Sequence, residues 1–75
     1  MSNNAMWHAH FRVTRPNGNT FSELVSLMSP DLVDTREAKR RATATARARL
    51  QKKLAKTFMN GEKLAIFHIE TRCVG

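Results

Sequence analysis

The stretch from Thr35 to Met59, TREAKRRATATARARLQKKLAKTFM, most constrains the fold of this chain. It holds no Gly and no Pro, and Ala, Arg, Lys, Leu, Gln and Glu fill most of it. These residues cost least in a helix, so local preference predicts one long helix here. Both ends are marked. Asp34 stands three residues before Glu37, a capping-box-like spacing in which each side chain reaches a free amide of the first turn. Pro30 lies upstream, where it interrupts nothing. Asn60-Gly61 follows, and Gly readily takes the left-handed conformation that ends helices.

The charge of the chain is concentrated on this helix. The whole sequence carries 13 Lys and Arg against 6 Asp and Glu, for a net charge of +7. The helix holds nine cations, Arg36, Lys39, Arg40, Arg41, Arg47, Arg49, Lys52, Lys53 and Lys56, and one acid, Glu37, which is +8. The remaining residues therefore sum to −1, and the protein reads as a nearly neutral scaffold bearing one cationic rod. Such a field draws nucleic acid, an acidic protein surface or an anionic membrane.

The flanks of the helix read as strands. From Met6 the period is two: Trp7, Ala9, Phe11 and Val13 fall on one side, and His8, His10, Arg12 and Thr14 on the other. That is the alternation of a half-buried strand. Met1 to Ala5 is small and polar, and is expected to be poorly ordered. Pro16-Asn17-Gly18-Asn19 reads as a hairpin turn, because Asn-Gly supplies positive φ. Thr20 to Met28 is a second strand, with Phe21, Glu23, Val25 and Leu27 on one side. Leu32 and Val33, in the connection to the helix, are expected to form a hydrophobic lid. A third strand runs from Lys63 to Cys73, with Ala65, Phe67 and Ile69 assigned to the core side.

The order is ββαβ, an α+β class fold in a single domain over residues 6–75. If the third strand lies beside the first, the sheet is antiparallel in the order 2-1-3, and the crossover through the helix obeys the right-handed rule. The helix covers one sheet face. Its apolar positions, Ala38, Ala42, Ala46, Leu50, Leu54 and Phe58, recur every four residues, so the stripe drifts by ~40° per step. The bulky half, Leu50, Leu54 and Phe58, is the expected anchor. The first turns, Arg36 to Arg41, are expected to project beyond the sheet or to lie loosely on it. The expected core is Trp7, Phe11, Val13, Phe21, Val25, Leu27, Leu50, Leu54, Phe58, Phe67 and Ile69. The opposite sheet face is expected to be bare and to show His8, His10, Arg12, Leu24, Met28, Leu64, Ile66, His68, Glu70 and Arg72.

Several function classes are disfavoured. The single Cys, Cys73, permits no internal disulfide and suits a reducing compartment. No apolar run approaches the ~20 residues of a membrane span, and no hydrophobic leader is visible, so a soluble intracellular protein is expected. There is no Ser/His/Asp set, P-loop or Gly-rich phosphate loop, so no enzyme and no cofactor are expected.

The basic helix is the first candidate site: nine cations to one acid is too lopsided for ordinary salt-bridge patterning, and suits backbone-tracking contact with phosphate. His8, His10 and His68 are candidates for a metal site or a pH-sensitive patch, although exposed strand histidines with no such role are the commoner case. A partner contact involving Trp7, His8, His10, Arg12, His68 and Arg72 is expected in preference to a metal. The mixed apolar and polar sheet face and the open sheet edges suit protein contact or self-association.

The run MWHAHFRVTRPNG, the helix AKRRATATARARLQKKL and the ending IFHIETRCVG resemble the small transcription regulators of Xanthomonas bacteriophages. The likeness spans essentially the full chain. It is one of length, charge and overall character rather than of a short motif, so it carries no residue roles. It implies a non-enzymatic protein of the host bacterial cytoplasm that binds RNA polymerase, docking on the β′ subunit near its N-terminus. It implies inhibition of initiation at host promoters and suppression of termination at the RNA exit region, aided by the elongation factor NusA. The bottom-up alternative is a stand-alone basic protein that lays helix 35–59 on nascent RNA or DNA phosphate.

Overall fold

A computed structural model describes residues 4–57 and 63–74. Strand β1 (Ala5–Thr14) and strand β2 (Thr20–Ser29) form a hairpin, helix α1 (Arg36–Thr57) crosses over, and strand β3 (Ala65–Cys73) returns. The sheet order is β2-β1-β3, with both outer strands antiparallel to β1. β2 and β3 therefore run parallel to each other on either side of β1, and the helix that joins them packs on one face. Ala5 already belongs to β1 and is buried, so the strand starts one residue earlier than the pattern suggested. Residues 1–3 lie outside the described region.

In the hairpin, Gly18 has φ 91°. Arg15 N donates to Asn19 O at 2.8 Å, Gly18 N to Arg15 O at 2.9 Å, and Asn19 N to the Asn17 side chain at 3.0 Å. The left-handed residue is the one with no Cβ to clash, which is why Asn-Gly marks the turn.

The helix begins one residue later than the capping-box reading. Ala38 N donates to Thr35 Oγ1 at 3.1 Å and Lys39 N to Thr35 O at 2.9 Å. Thr35 is thus the N-cap, and its hydroxyl satisfies an amide three residues on. Asp34 instead faces Lys39 at 3.6 Å. At its other end α1 is described as far as Thr57; Phe58, expected as core, Met59, expected as the last helical residue, and Asn60-Gly61, expected as the stop, lie outside the described residues.

The core is made by large side chains from the sheet and small ones from the helix. Trp7, Ala9, Phe11 and Val13 of β1 are wholly buried. From α1 come Ala38, Ala42, Ala46, Leu50 and Leu54. Anchoring contacts set the direction. Trp7 Nε1 donates to Asp31 O at 2.8 Å, and Arg41 grips the Asp31 carboxylate at 2.8 and 3.2 Å. Arg47 lies over Phe11, and Lys53 reaches Glu23. The alanine half of the helix therefore lies at the Trp7 end of β1, and the leucine half toward the Val13 end. Bulk in one layer meets its absence in the other, which is how close packing is reached without strain. Ala38 and Ala42 are as buried as Leu50, so the first turns neither project nor lie loosely. Leu32 and Val33, expected as a hydrophobic lid, are exposed.

The main departure lies in β3. The pairing with β1 slips between His10 and Phe11: His10 stands opposite Glu70, but Phe11 opposite His68. Ile69 is the extra residue, a β-bulge on an edge strand. Before it, Leu64, Ile66 and His68 face the helix; after it, Thr71 and Cys73 do. Phe67 and Ile69 are turned outward, 66% and 46% exposed, where the alternation had them in the core.

Candidate nucleic-acid interface

A four-residue step on a helix keeps a row of side chains nearly in line, and two such rows flank the buried stripe of α1. They meet different surroundings. On the β2 side, acids from the scaffold reach the cations. Arg41 binds Asp31, with Glu37 a further 3.5 Å contact, and Lys53 binds Glu23 at 2.9 Å. The Arg41 guanidinium holds the Asp31 carboxyl below its ordinary value, and Ser29 Oγ, donating at 3.1 Å, adds to the effect against partial desolvation. These pairs fasten the helix to the sheet.

On the β3 side there is an open groove of about 570 Å³, lined by Arg36, Lys39, Arg40, Thr43, Ala44, Arg47, Ala48, Gln51 and His68. No acid lines it. Among the described residues Arg36 and Arg40 make no ion pair, and Lys39 has only the 3.6 Å contact with Asp34. Ala44 and Ala48 leave the helix backbone open to close approach. The Arg47 guanidinium stands 5.6 Å from the Phe11 ring centroid, half-buried, and so held in place by a cation–π contact rather than waving in solvent.

The groove has a polar wall. His68 Nε2 and Thr71 Oγ1 lie 2.7 Å apart, and Thr71 Oγ1 and Thr43 Oγ1 a further 2.7 Å. Thr71 is buried and has one hydroxyl proton, so it donates to one neighbour and accepts from the other. When His68 Nε2 carries its proton, Thr71 donates to Thr43 and the Thr43 hydroxyl is free to donate to an anion in the groove. The tilted packing of His68 on Phe11, 5.5 Å between centroids, holds the imidazole in register.

Arg49, Lys52 and Lys56 are exposed and make no ion pair with a described residue. Eight of the nine helix cations are therefore exposed and Arg47 is half-buried, and they are not equivalent. Arg41 and Lys53 are structural, while Arg36, Lys39, Arg40 and Arg47 converge on one groove. The sequence cannot show this division, because it depends on which strands carry Glu23 and Asp31 to the helix.

The residues expected to form a partner surface are split. His8, His10, Arg12 and Arg72 stay on the outer sheet face. Trp7 does not: it is fully buried and its indole N–H is satisfied by Asp31 O. His68 does not either, because the bulge turns it, with Leu64 and Ile66, toward the helix. The three histidines therefore do not meet, and among the described residues no group of three His, Cys, Asp or Glu is placed to hold a metal ion. Also among them, no helix is long and apolar enough to cross a membrane. The bulge had no legible signal: Leu64 and Ile66 in one row compete with Ala65, Phe67 and Ile69 in the other, and strict alternation admits no inserted residue.

The chain matches no protein-family model, no curated protein and no solved structure.

Proposed function

We propose that this chain is a non-enzymatic binder of nucleic-acid phosphate, working through the β3-side flank of α1. The observation that carries the reading is the asymmetry of the helix. Among the described residues, Asp31 and Glu23 are spent on the β2 flank, whereas the β3 flank keeps four cations around a groove with no acid in its lining, where the one ion pair is the 3.6 Å contact of Lys39 with Asp34. Phosphate contacts of this kind give affinity without base sequence preference.

The likeness to phage transcription regulators supports placing this binding at bacterial RNA polymerase, where nascent RNA or promoter DNA supplies the phosphate. In that setting the scaffold docks on the enzyme and the groove holds the nucleic acid, hindering promoter engagement or terminator hairpin formation. Recovery of partners from bacterial lysate, with and without nuclease, tests the two levels. Nuclease-resistant recovery of polymerase subunits is expected if the protein is a polymerase-bound regulator. Loss of every partner after nuclease leaves a stand-alone nucleic-acid binder. Recovery of no nucleic acid at low salt would remove the groove from the function altogether.

A further inference from the structure

The outer face of the sheet carries a second set of residues that the helix groove does not use. The Ile69 bulge assembles it. In a regular strand Phe67 and Glu70 would point to opposite faces; with one residue inserted between them, both point outward. Phe67 stands opposite Arg12. In the next row His10 lies between Glu70 and Leu24, and in the next His8 lies opposite Arg72. His8, His10, Leu24, Glu70 and Arg72 line a shallow depression of about 190 Å³.

We infer that this face takes an unpaired base of single-stranded nucleic acid, with Phe67 as the stacking surface and the depression receiving the base edge. The inference deepens the nucleic-acid reading and shares its ligand class, but it rests on different residues. An exposed phenyl ring stacks any base, and neighbouring Arg and His side chains add planar surfaces of their own. Glu70 decides what the depression holds. A carboxylate is an acceptor only; it repels phosphate but accepts from the exocyclic amine of cytosine, adenine or guanine. Arg12 and Arg72 flank it and suit the attached phosphates.

The place of the two sites selects a single strand. The groove reaches β3 from the inner side through His68, and Phe67 and Glu70 lie on the outer side of the same edge strand. A flexible single strand can turn over that edge and touch both. A duplex is far too stiff to do so.

The test uses fluorescence anisotropy with labelled 12-mers of deoxycytidine, of deoxythymidine, and a 12-bp duplex. The full chain is expected to bind the cytidine strand tighter than the thymidine strand. Phe67→Leu keeps an apolar side chain but loses the flat ring. It is expected to weaken single-strand binding about five- to a hundredfold and to leave duplex binding and the far-UV spectrum unchanged. Phe67→Tyr is expected to bind as the parent does, and Glu70→Ala to abolish the preference for cytidine. Unchanged single-strand binding by Phe67→Leu would overturn the inference. So would sedimentation of the parent as a dimer that Phe67→Leu converts to monomer, since the face would then be covered by a second copy. Neutralising Arg36, Arg40 and Arg47 separates the two readings: if duplex binding survives, the groove fails while the base preference stands or falls by itself.

Discussion

Replacing Arg36, Arg40 and Arg47 together by Gln tests the division of the helix into a binding flank and a fastening flank. All three line the acid-free groove. Gln is nearly as good a helix former as Arg, and only Arg47 makes a core contact, the one with Phe11, so about 0.5–1 kcal/mol of stability is at stake. Binding should respond far more. Each phosphate neutralised on a duplex contributes about −0.9 to the slope of log affinity against log salt. With four groove cations engaged, the slope is about −3.6, and affinity falls roughly 150-fold between 50 and 200 mM salt. With Lys39 alone left, the slope is about −0.9 and the fall is about threefold to fourfold over the same range. The assay is anisotropy of a labelled 20-bp duplex in a salt series, with chemical denaturation in parallel. The matched control is Arg41→Gln, Arg49→Gln and Lys53→Gln. It removes the same formal charge, but Arg41 and Lys53 are already held by Asp31 and Glu23. It should leave the slope near the parent's value of about −3.6 and lower stability more. If the two triples flatten the slope equally, the helix acts as a uniform cationic rod and the groove has no standing.

Thr35→Ala should cost about 1 kcal/mol through loss of the N-cap, whereas Asp34→Ala should cost little; urea midpoints compare the two. Leu54→Ala should cost about 2–5 kcal/mol, while Phe67→Ala, on an exposed ring, should stay within about 0.5 kcal/mol of the parent; a large loss at Phe67 would contradict the bulge. Asp31 makes stability depend on acid. Its carboxyl is held below the ordinary 3.8 in the fold, chiefly by Arg41, so the stabilisation is present above that value and is lost as pH falls through the lowered one. Asp31→Asn should therefore be less stable than the parent at pH 7, and the gap should close on acidification below about pH 4, as followed by thermal melts.

The strands, the turn and the helix were legible because each is signalled locally. Trp7, Ala9, Phe11 and Val13 alternate against polar neighbours, so β1 can face only one way. Asn17-Gly18 and the alanine-rich cationic stretch are likewise statements about a few consecutive residues, whereas the order 2-1-3 was legible only on the condition that the third strand lies beside the first, which the structure shows. Their net charge is equally a property of the chain. The destiny of that charge is not. It required knowing that Glu23 and Asp31 arrive on one side of the helix and that, among the described residues, only Asp34 reaches a cation on the other, Lys39 at 3.6 Å.

The facing of β3 was the failure, and its cause is specific. Leu64, Ile66 and His68 compete on nearly equal terms with Ala65, Phe67 and Ile69, so periodicity cannot choose between them. The choice is made by pairing with β1, where inserting Ile69 changes which residues point inward halfway along the strand. That one slip buries Thr71 beside Thr43, sends His68 under the helix and brings Phe67 and Glu70 out together. The amino-acid sequence by itself determined the elements, their order and the cationic rod, because those follow from propensity and local period. Only the tertiary structure decided which cations are free and what each sheet face presents, because register and charge pairing are relations between residues distant in the chain.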